Sequence, residues 1–255
     1  MSAAGVISLS RRSTLNTLRQ PQMWVPSMVF PLIFTAINTA AMGRATQLPG
    51  FPADSFLDFA VATAVLQGVL FGATAGGSDM AVDIQDGFFD RLVSSPVSRP
   101  AIVLGRLAGA GVLAAVQSLV FMGVLSAFGA DIRGGAGAVV TIAVTSMLLA
   151  AGVGGITVAI ALKTGSSEVV QATFPVLFIS LFTSSAFFPR ELMSGWFKAV
   201  ASANPLSFMV ESMRALILHG FDAADAARAL AIVSVLAAAS LTMCLAALRS
   251  RLDGA

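Results

Sequence analysis

Four carboxylates in one polar stretch, Asp79, Asp83, Asp86 and Asp90, are the residues whose type and spacing first suggest a task. They follow steps of four, three and four. A helix running from Asp79 to Asp90 therefore carries all four on one narrow stripe, with Met80, Ile84, Phe88 and Leu92 roughly opposite. A short amphipathic helix of this kind can lie flat on a bilayer or press one face into a partner protein. The plainer alternative is a solvated hairpin. Two features favour a docking element: Phe88 and Phe89 are adjacent large apolar side chains inside a charged segment, and Ser94-Ser95-Pro96 stops the helix before Arg99 and Pro100.

Other chemistry finds little to build on. His219 is the single histidine, and a serine nucleophile needs a base within hydrogen-bond reach. Cys244 is the single cysteine, lies in an apolar run, and excludes an internal disulfide or a cysteine-rich metal site. Neither Lys163 nor Lys198 is preceded by the glycine of G-x-x-x-x-G-K-[ST], so the chain has no phosphate-cradling loop. Energy for any ATP-driven task would have to come from elsewhere.

The elements that position the acidic stretch are set by composition. The chain is 56% hydrophobic and 11% charged, with a mean hydropathy of +0.87, against roughly 25% charged residues in a soluble domain. This is a polytopic, all-α membrane protein. A net charge of +2, from 15 basic and 13 acidic residues, is too even to suggest nucleic-acid binding. Trp24 to Met42 carries no charge and is long enough to cross a hydrocarbon core of ~30 Å. Further spans are expected at about 56–77, 107–128, 138–162, 169–188 and 226–248, making six in a single transmembrane domain over residues 1–255. Gly152, Gly154 and Gly155 would allow close helix contact in the fourth.

Residues 1–20 lack the continuous apolar core of a signal peptide and carry Arg11, Arg12 and Arg19 among spaced aliphatics, which reads as an amphipathic interfacial helix. Between the fifth and sixth spans, Pro189 to Asp225 is semi-polar and is broken at Asn204-Pro205 into two halves too short to cross, so a re-entrant helix pair is expected. Glu211 and Arg214, three apart, would pair there. Six spans put both ends on one side. That side has nine basic residues (Arg11, Arg12, Arg19, Arg91, Arg99, Arg106, Lys163, Arg249, Arg251) against six opposite, so the termini and the acidic stretch are expected in the cytoplasm. Thirteen arginines against two lysines in an Ala- and Gly-rich chain suit a GC-rich bacterial genome, and hence a bacterial plasma membrane.

Two family resemblances follow. Asp83-Ile-Gln-Asp86-Gly87-Phe-Phe-Asp90-Arg91 resembles the start of the D-x-x-D-G-x-x-A-R pattern of CDP-alcohol phosphotransferases, six-span enzymes whose carboxylates bind divalent metal. The match then fails: Pro100 stands at the next glycine position, Asp90 replaces the alanine, and Gly105 to Val120 supplies no further aspartate. The second resemblance spans essentially the whole chain. Gly87-Phe-Phe-Asp90-Arg91-Leu92-Val-Ser-Ser-Pro96-Val-Ser-Arg99, then Leu104-Gly105-Arg106, looks like the cytosolic coupling loop of type 2 ABC exporter permeases. Phe187-Phe188-Pro189, Trp196, Asn204-Pro205-Leu206-Ser207 and Arg214-Ala215-Leu216 resemble that family's stretch after the fifth span, and the daunorubicin-exporter-like branch is nearest in size and loop pattern.

This resemblance implies a transport subunit without an ATP site of its own. Its partners would be a second permease, identical or related, and two copies of a separate ATPase that holds the ATP and Mg. Asp83, Asp86, Gly87, Phe88, Asp90, Arg91 and Leu92 would form the ATPase-coupling surface, with Asp90 one methylene shorter than the family's usual Glu. Pro189, Trp196, Asn204, Pro205, Glu211 and Arg214 would build the re-entrant segment. With no Tyr and only two Trp, the chain lacks a stacking platform for a sugar polymer, so a hydrophobic or amphiphilic cargo is expected. Asn38, Gln67, Gln117, Thr183 and Ser184 are polar groups that would either line its pathway or bond between helices. A non-transporting sensor linked to an ATPase-like switch is the contrasting reading.

Overall fold

The computed structural model describes residues 10, 14–15, 21–95 and 98–253. The interfacial helix expected over 1–20 lies almost wholly outside them. Among the described residues there is no strand, and the chain forms α1 (Pro21–Met42), α2 (Phe56–Gly72), α3 (Ala75–Gln85), α4 (Phe88–Val93), α5 (Arg99–Ala127), α6 (Gly135–Thr164), α7 (Ser167–Gln171), α8 (Phe174–Phe182), α9 (Gly195–Ala203), α10 (Pro205–Leu218) and α11 (Ala223–Asp253). Short 3-10 turns at Gly43–Gln47 and Arg190–Leu192 link α1 to α2 and α8 to α9.

Among the described residues, five helical stretches are long and apolar enough to cross a membrane: Trp24–Gln47, Phe56–Gln85, Arg99–Ala127, Gly135–Thr164 and Ala223–Asp253. They coincide with the first four and the last of the expected spans. The segment expected as the fifth, 169–188, is broken and ends early. Ser167–Phe182 is a shorter apolar piece, interrupted where Pro175, near the start of α8, has no N–H to give the preceding turn. Beyond Phe182 the hydroxyls of Thr183 and Ser184 bond back to the Ile179 and Leu181 carbonyls, at 2.8 and 2.6 Å. These bonds let the chain leave the helix into a turn at 183–188.

α2 is mostly apolar, with Asp58, Thr63 and Gln67 its polar members, and is buried on every face, as a central helix should be. α6 packs against α11, α5 and α3, and small residues set how close these helices come. A Cβ on Gly77 would fall 2.6 Å from that of Thr157, and one on Gly155 would fall 2.7 Å from Ser240 Oγ. α1 and α11 form the flanks, where Val29, Phe30, Ile33, Ile37 and Val235 remain exposed as apolar side chains facing lipid would be. The bundle thus has two ends. One gathers α4 with the last turns of α6 and α11, and the other gathers α9 and α10 with the first turns of α2 and α6.

Candidate functional site

At the α4 end, the acidic stretch is not one helix. α3 stops at Gln85, Gly87 adopts a left-handed φ of 67°, and α4 begins at Phe88. Nothing lies within 4 Å of a Cβ built on Gly87, so it is the backbone turn and not a shortage of space that calls for glycine. The expected carboxylate stripe is accordingly cut in two. Asp79 and Asp83 turn inward to Arg106 of α5: Asp83 makes a direct ion pair, and Asp79 Oδ2 lies 3.9 Å from the guanidinium, which also donates to Gly76 O at 3.5 Å. Asp83, expected on the coupling surface, is thus engaged inside the subunit. A buried Arg106 between α3 and α5 needs counter-charge, and the residues one turn apart on α3 supply it.

Asp86, Asp90 and Arg91 are exposed, while Gly87, Phe88 and Leu92 are half-buried. The two phenylalanines divide their tasks. Phe89, 2% exposed, sits in a core cluster with Met80, Ile102, Leu162, Cys244 and Leu248, and fastens α4 to the bundle. Phe88 stands on the other side, with the Arg91 guanidinium 5.9 Å from its ring centre. Arg251 of α11 lies 5.7 Å from the Phe89 ring centre and donates to Leu162 O at 2.8 Å, closing a groove of about 670 Å³ beside α4. In the nearby turn, the Ser166 hydroxyl donates to the Glu168 carboxylate at 2.5 Å and also caps α7 by accepting from Val169 N at 3.2 Å. No group of three or more His, Cys, Asp or Glu converges as metal ligands would among the described residues.

At the other end, Arg214 is 4% exposed and does not pair with Glu211. Its guanidinium donates to Phe59 O (3.3 Å), Ser185 O (3.2 Å), Ala186 O (2.8 Å) and Thr63 Oγ1 (3.3 Å), and lies 3.6 Å from the Phe59 ring centre. Glu211 pairs instead with Arg190, whose guanidinium stacks 4.6 Å from the Phe208 ring. The expected i, i+3 pair gives way because the turn at 183–188 carries carbonyls that no helix partner satisfies, and a guanidinium fork can reach several at once. Asn204 caps α10 by accepting from Leu206 N at 2.9 Å and donates to Ser180 O at 2.7 Å, while Ser207 Oγ accepts from Ser185 N at 3.0 Å. Pro189 is buried beside this network, Pro205 opens α10, and Trp196, 74% exposed, projects from α9.

The five expected pathway residues are not brought together. Asn38 donates to Phe34 O within its own helix at 2.7 Å. Gln67 is 0% exposed in the α2 core, with neither amide atom bonded. Thr183 lies beside Asn204, whose Nδ2 is 3.4 Å from Thr183 Oγ1, whereas Ser184 bonds locally, donating to Leu181 O at 2.6 Å and accepting from Ala186 N at 3.2 Å. Gln117 alone of the five lines a sizeable cavity, about 330 Å³ between α1, α2, α5 and α6.

The family model described as ABC-2 type transporter matches residues 5–218. The chain belongs to this permease family. It is similar to the daunorubicin resistance ABC transporter permease protein of Streptomyces coeruleorubidus, 31% identical over 203 residues, covering 78% of this chain and 70% of that one. It also resembles the probable doxorubicin resistance ABC transporter permease protein of Mycobacterium tuberculosis, 22% identical over 196 residues, 77% of this chain and 70% of that one.

In this ABC-2 permease two features escape sequence reasoning. The Arg214 network includes Thr63, Ser185 and Ala186, which lie far from Arg214 in the chain; the run Thr183-Ser184-Ser185 was its only visible trace. A ladder of phenylalanines, Phe30, Phe34, Phe71, Phe174, Phe178, Phe182 and Phe187, joins α1, α2 and α8, with centroid distances of 4.3 Å for Phe178–Phe182 and 4.4 Å for Phe182–Phe187. The i, i+4 spacing of Phe174, Phe178 and Phe182 was its signal.

Proposed function

We propose that this permease is the membrane-spanning subunit of an ATP-driven exporter that moves a hydrophobic or amphiphilic compound, such as a drug, lipid or secondary metabolite, out of the cytoplasm or inner leaflet. Two copies of a separate ABC ATPase, holding the ATP and Mg, and a second permease, identical or related, complete the complex. The chain sits in the bacterial plasma membrane with both termini cytoplasmic. α9 and α10 form a re-entrant pair. α7, α8 and the following turn make a further crossing, so that six bring both ends to one side. Ser167–Phe182 alone reaches about 24 Å, and irregular backbone completes the crossing because Arg214 satisfies its carbonyls inside the protein.

The observation that carries this reading is the build of α4. Gly87 turns it off α3, Phe89 and Leu92 pack it onto the core, and Phe88, Asp90 and Arg91 form its outer side, with exposed Asp86 just before the turn. That is the shape of a rigid knob offered to a partner. Phe88 is its anchor, since burying a Phe is worth about 1.5–3 kcal/mol by area, against about 0.2–1 kcal/mol for one rim carboxylate. The test is co-purification of the ATPase together with export of a lipophilic dye. Phe88→Ala should lose both while inserting normally, whereas Asp86→Asn should weaken association chiefly at low salt. Retention of ATPase and export by Phe88→Ala refutes the coupling assignment.

A further inference from the structure

We propose that the cavity of about 330 Å³ between α1, α2, α5 and α6 is a binding site for a neutral, lipophilic small molecule that donates one hydrogen bond to Gln117 Oε1. The volume lies in the ~300–1,000 Å³ range of ligand pockets. Its walls are mainly small and apolar, including Gly72, Ala110 and Ala114, and no Asp, Glu, Lys, Arg or His lines it. A charged ligand would lose its hydration there and gain no counter-charge.

Gln117 is the built polar feature. Its side chain is 7% exposed, and Nε2 donates to Ser27 O at 2.9 Å, which fixes the amide's orientation. Oε1 then faces α2 across Gly72, where a Cβ would lie 3.3 Å from it, and no donor among the described residues reaches it. An acyl chain filling the cavity would bury that amide oxygen with no donor, which is costly. An O–H or N–H on an otherwise apolar molecule meets both demands. Val116 and Val120 line the cavity and are exposed on the bundle flank, so the mouth opens toward lipid and a membrane-dissolved molecule can enter sideways. As a cargo site this rests on the exporter reading; as a binding site it is tested without it.

Trp24 lines the cavity, and Trp196 is the chain's other tryptophan. Trp196→Phe therefore leaves one reporter at the site. The permease alone, in nanodiscs, is titrated with 4-hydroxy-4'-nitrobiphenyl, whose nitro group quenches tryptophan, and with its methyl ether, which has the same rings and no donor. Saturable quenching is expected, with the ether about tenfold weaker, the effect of one buried hydrogen bond. Gln117→Met should remove that preference, and Ala110→Leu should weaken both probes at least tenfold by filling the cavity, with an unchanged Trp24 emission maximum showing that the fold holds. Equal affinity for the two probes in the Trp196→Phe protein, or unaltered binding in Ala110→Leu, overturns the proposal; should Gln117→Met fail to fold, these two measurements still decide it. Probe binding as expected in a complex that exports nothing sinks the exporter reading and leaves the site, whereas export without saturable quenching sinks the site alone.

Discussion

Replacing Arg214 by Met should destabilise the permease by about 3 kcal/mol. Arg214 gives its guanidinium to three carbonyls and one hydroxyl, but these are not equivalent losses. Phe59 O belongs to helix α2, and Ala186 O keeps the hydrogen bond that Thr63 Oγ1 donates to it. Ser185 O has no other donor among the described residues. Stranding that buried carbonyl costs about 1–3 kcal/mol, and losing the stacked cation over Phe59 costs about 2 kcal/mol more when desolvated. Not having to bury a charge with no carboxylate in direct contact returns part of this. An exposed i, i+3 pair between Glu211 and Arg214 would have been worth only about 0.2–0.5 kcal/mol. Thermal unfolding of the detergent-solubilised permease separates the two accounts: about 3 kcal/mol lowers Tm by roughly 6–12 °C at this chain length. Glu211→Gln should move it less, because that partly buried carboxylate pairs with Arg190 and not with Arg214. A fall below about 2 °C in Arg214→Met, or equal falls in the two variants, refutes the clamp.

Two further outcomes follow from the α4 end. Asp83→Asn should lower the stability of the ATPase-free permease by about 3 kcal/mol with little salt dependence, since it strips the direct partner from buried Arg106; a loss confined to low salt in ATPase association would return Asp83 to the outer surface. Gly87→Ala should cost about 1–2 kcal/mol through its left-handed φ and re-aim α4, reducing ATPase co-purification more than Tm; wild-type ATPase recovery would show that the turn does not set the docking geometry.

What the sequence made legible was the apolar length that decides a crossing and the coupling motif, because both are local. Five stretches emerged where continuous uncharged runs placed them. The rest depended on partners distant in the chain. Spacing put Asp79, Asp83, Asp86 and Asp90 on one face, but Gly87 could break that helix only because Phe89 finds a core built from α3, α5, α6 and α11. Likewise Glu211 and Arg214 look paired by interval, yet Arg214 answers carbonyls freed where α8 stops short. Its charge and the missing helix turn explain one another. Continuing the helix through 183–188 would not satisfy Ser185 O, because its i+4 partner, Pro189, has no N–H, and an apolar residue at 214 would likewise leave that carbonyl without a donor. The irregular segment and the buried cation are therefore one structural device, and neither could be read from its own stretch of sequence alone.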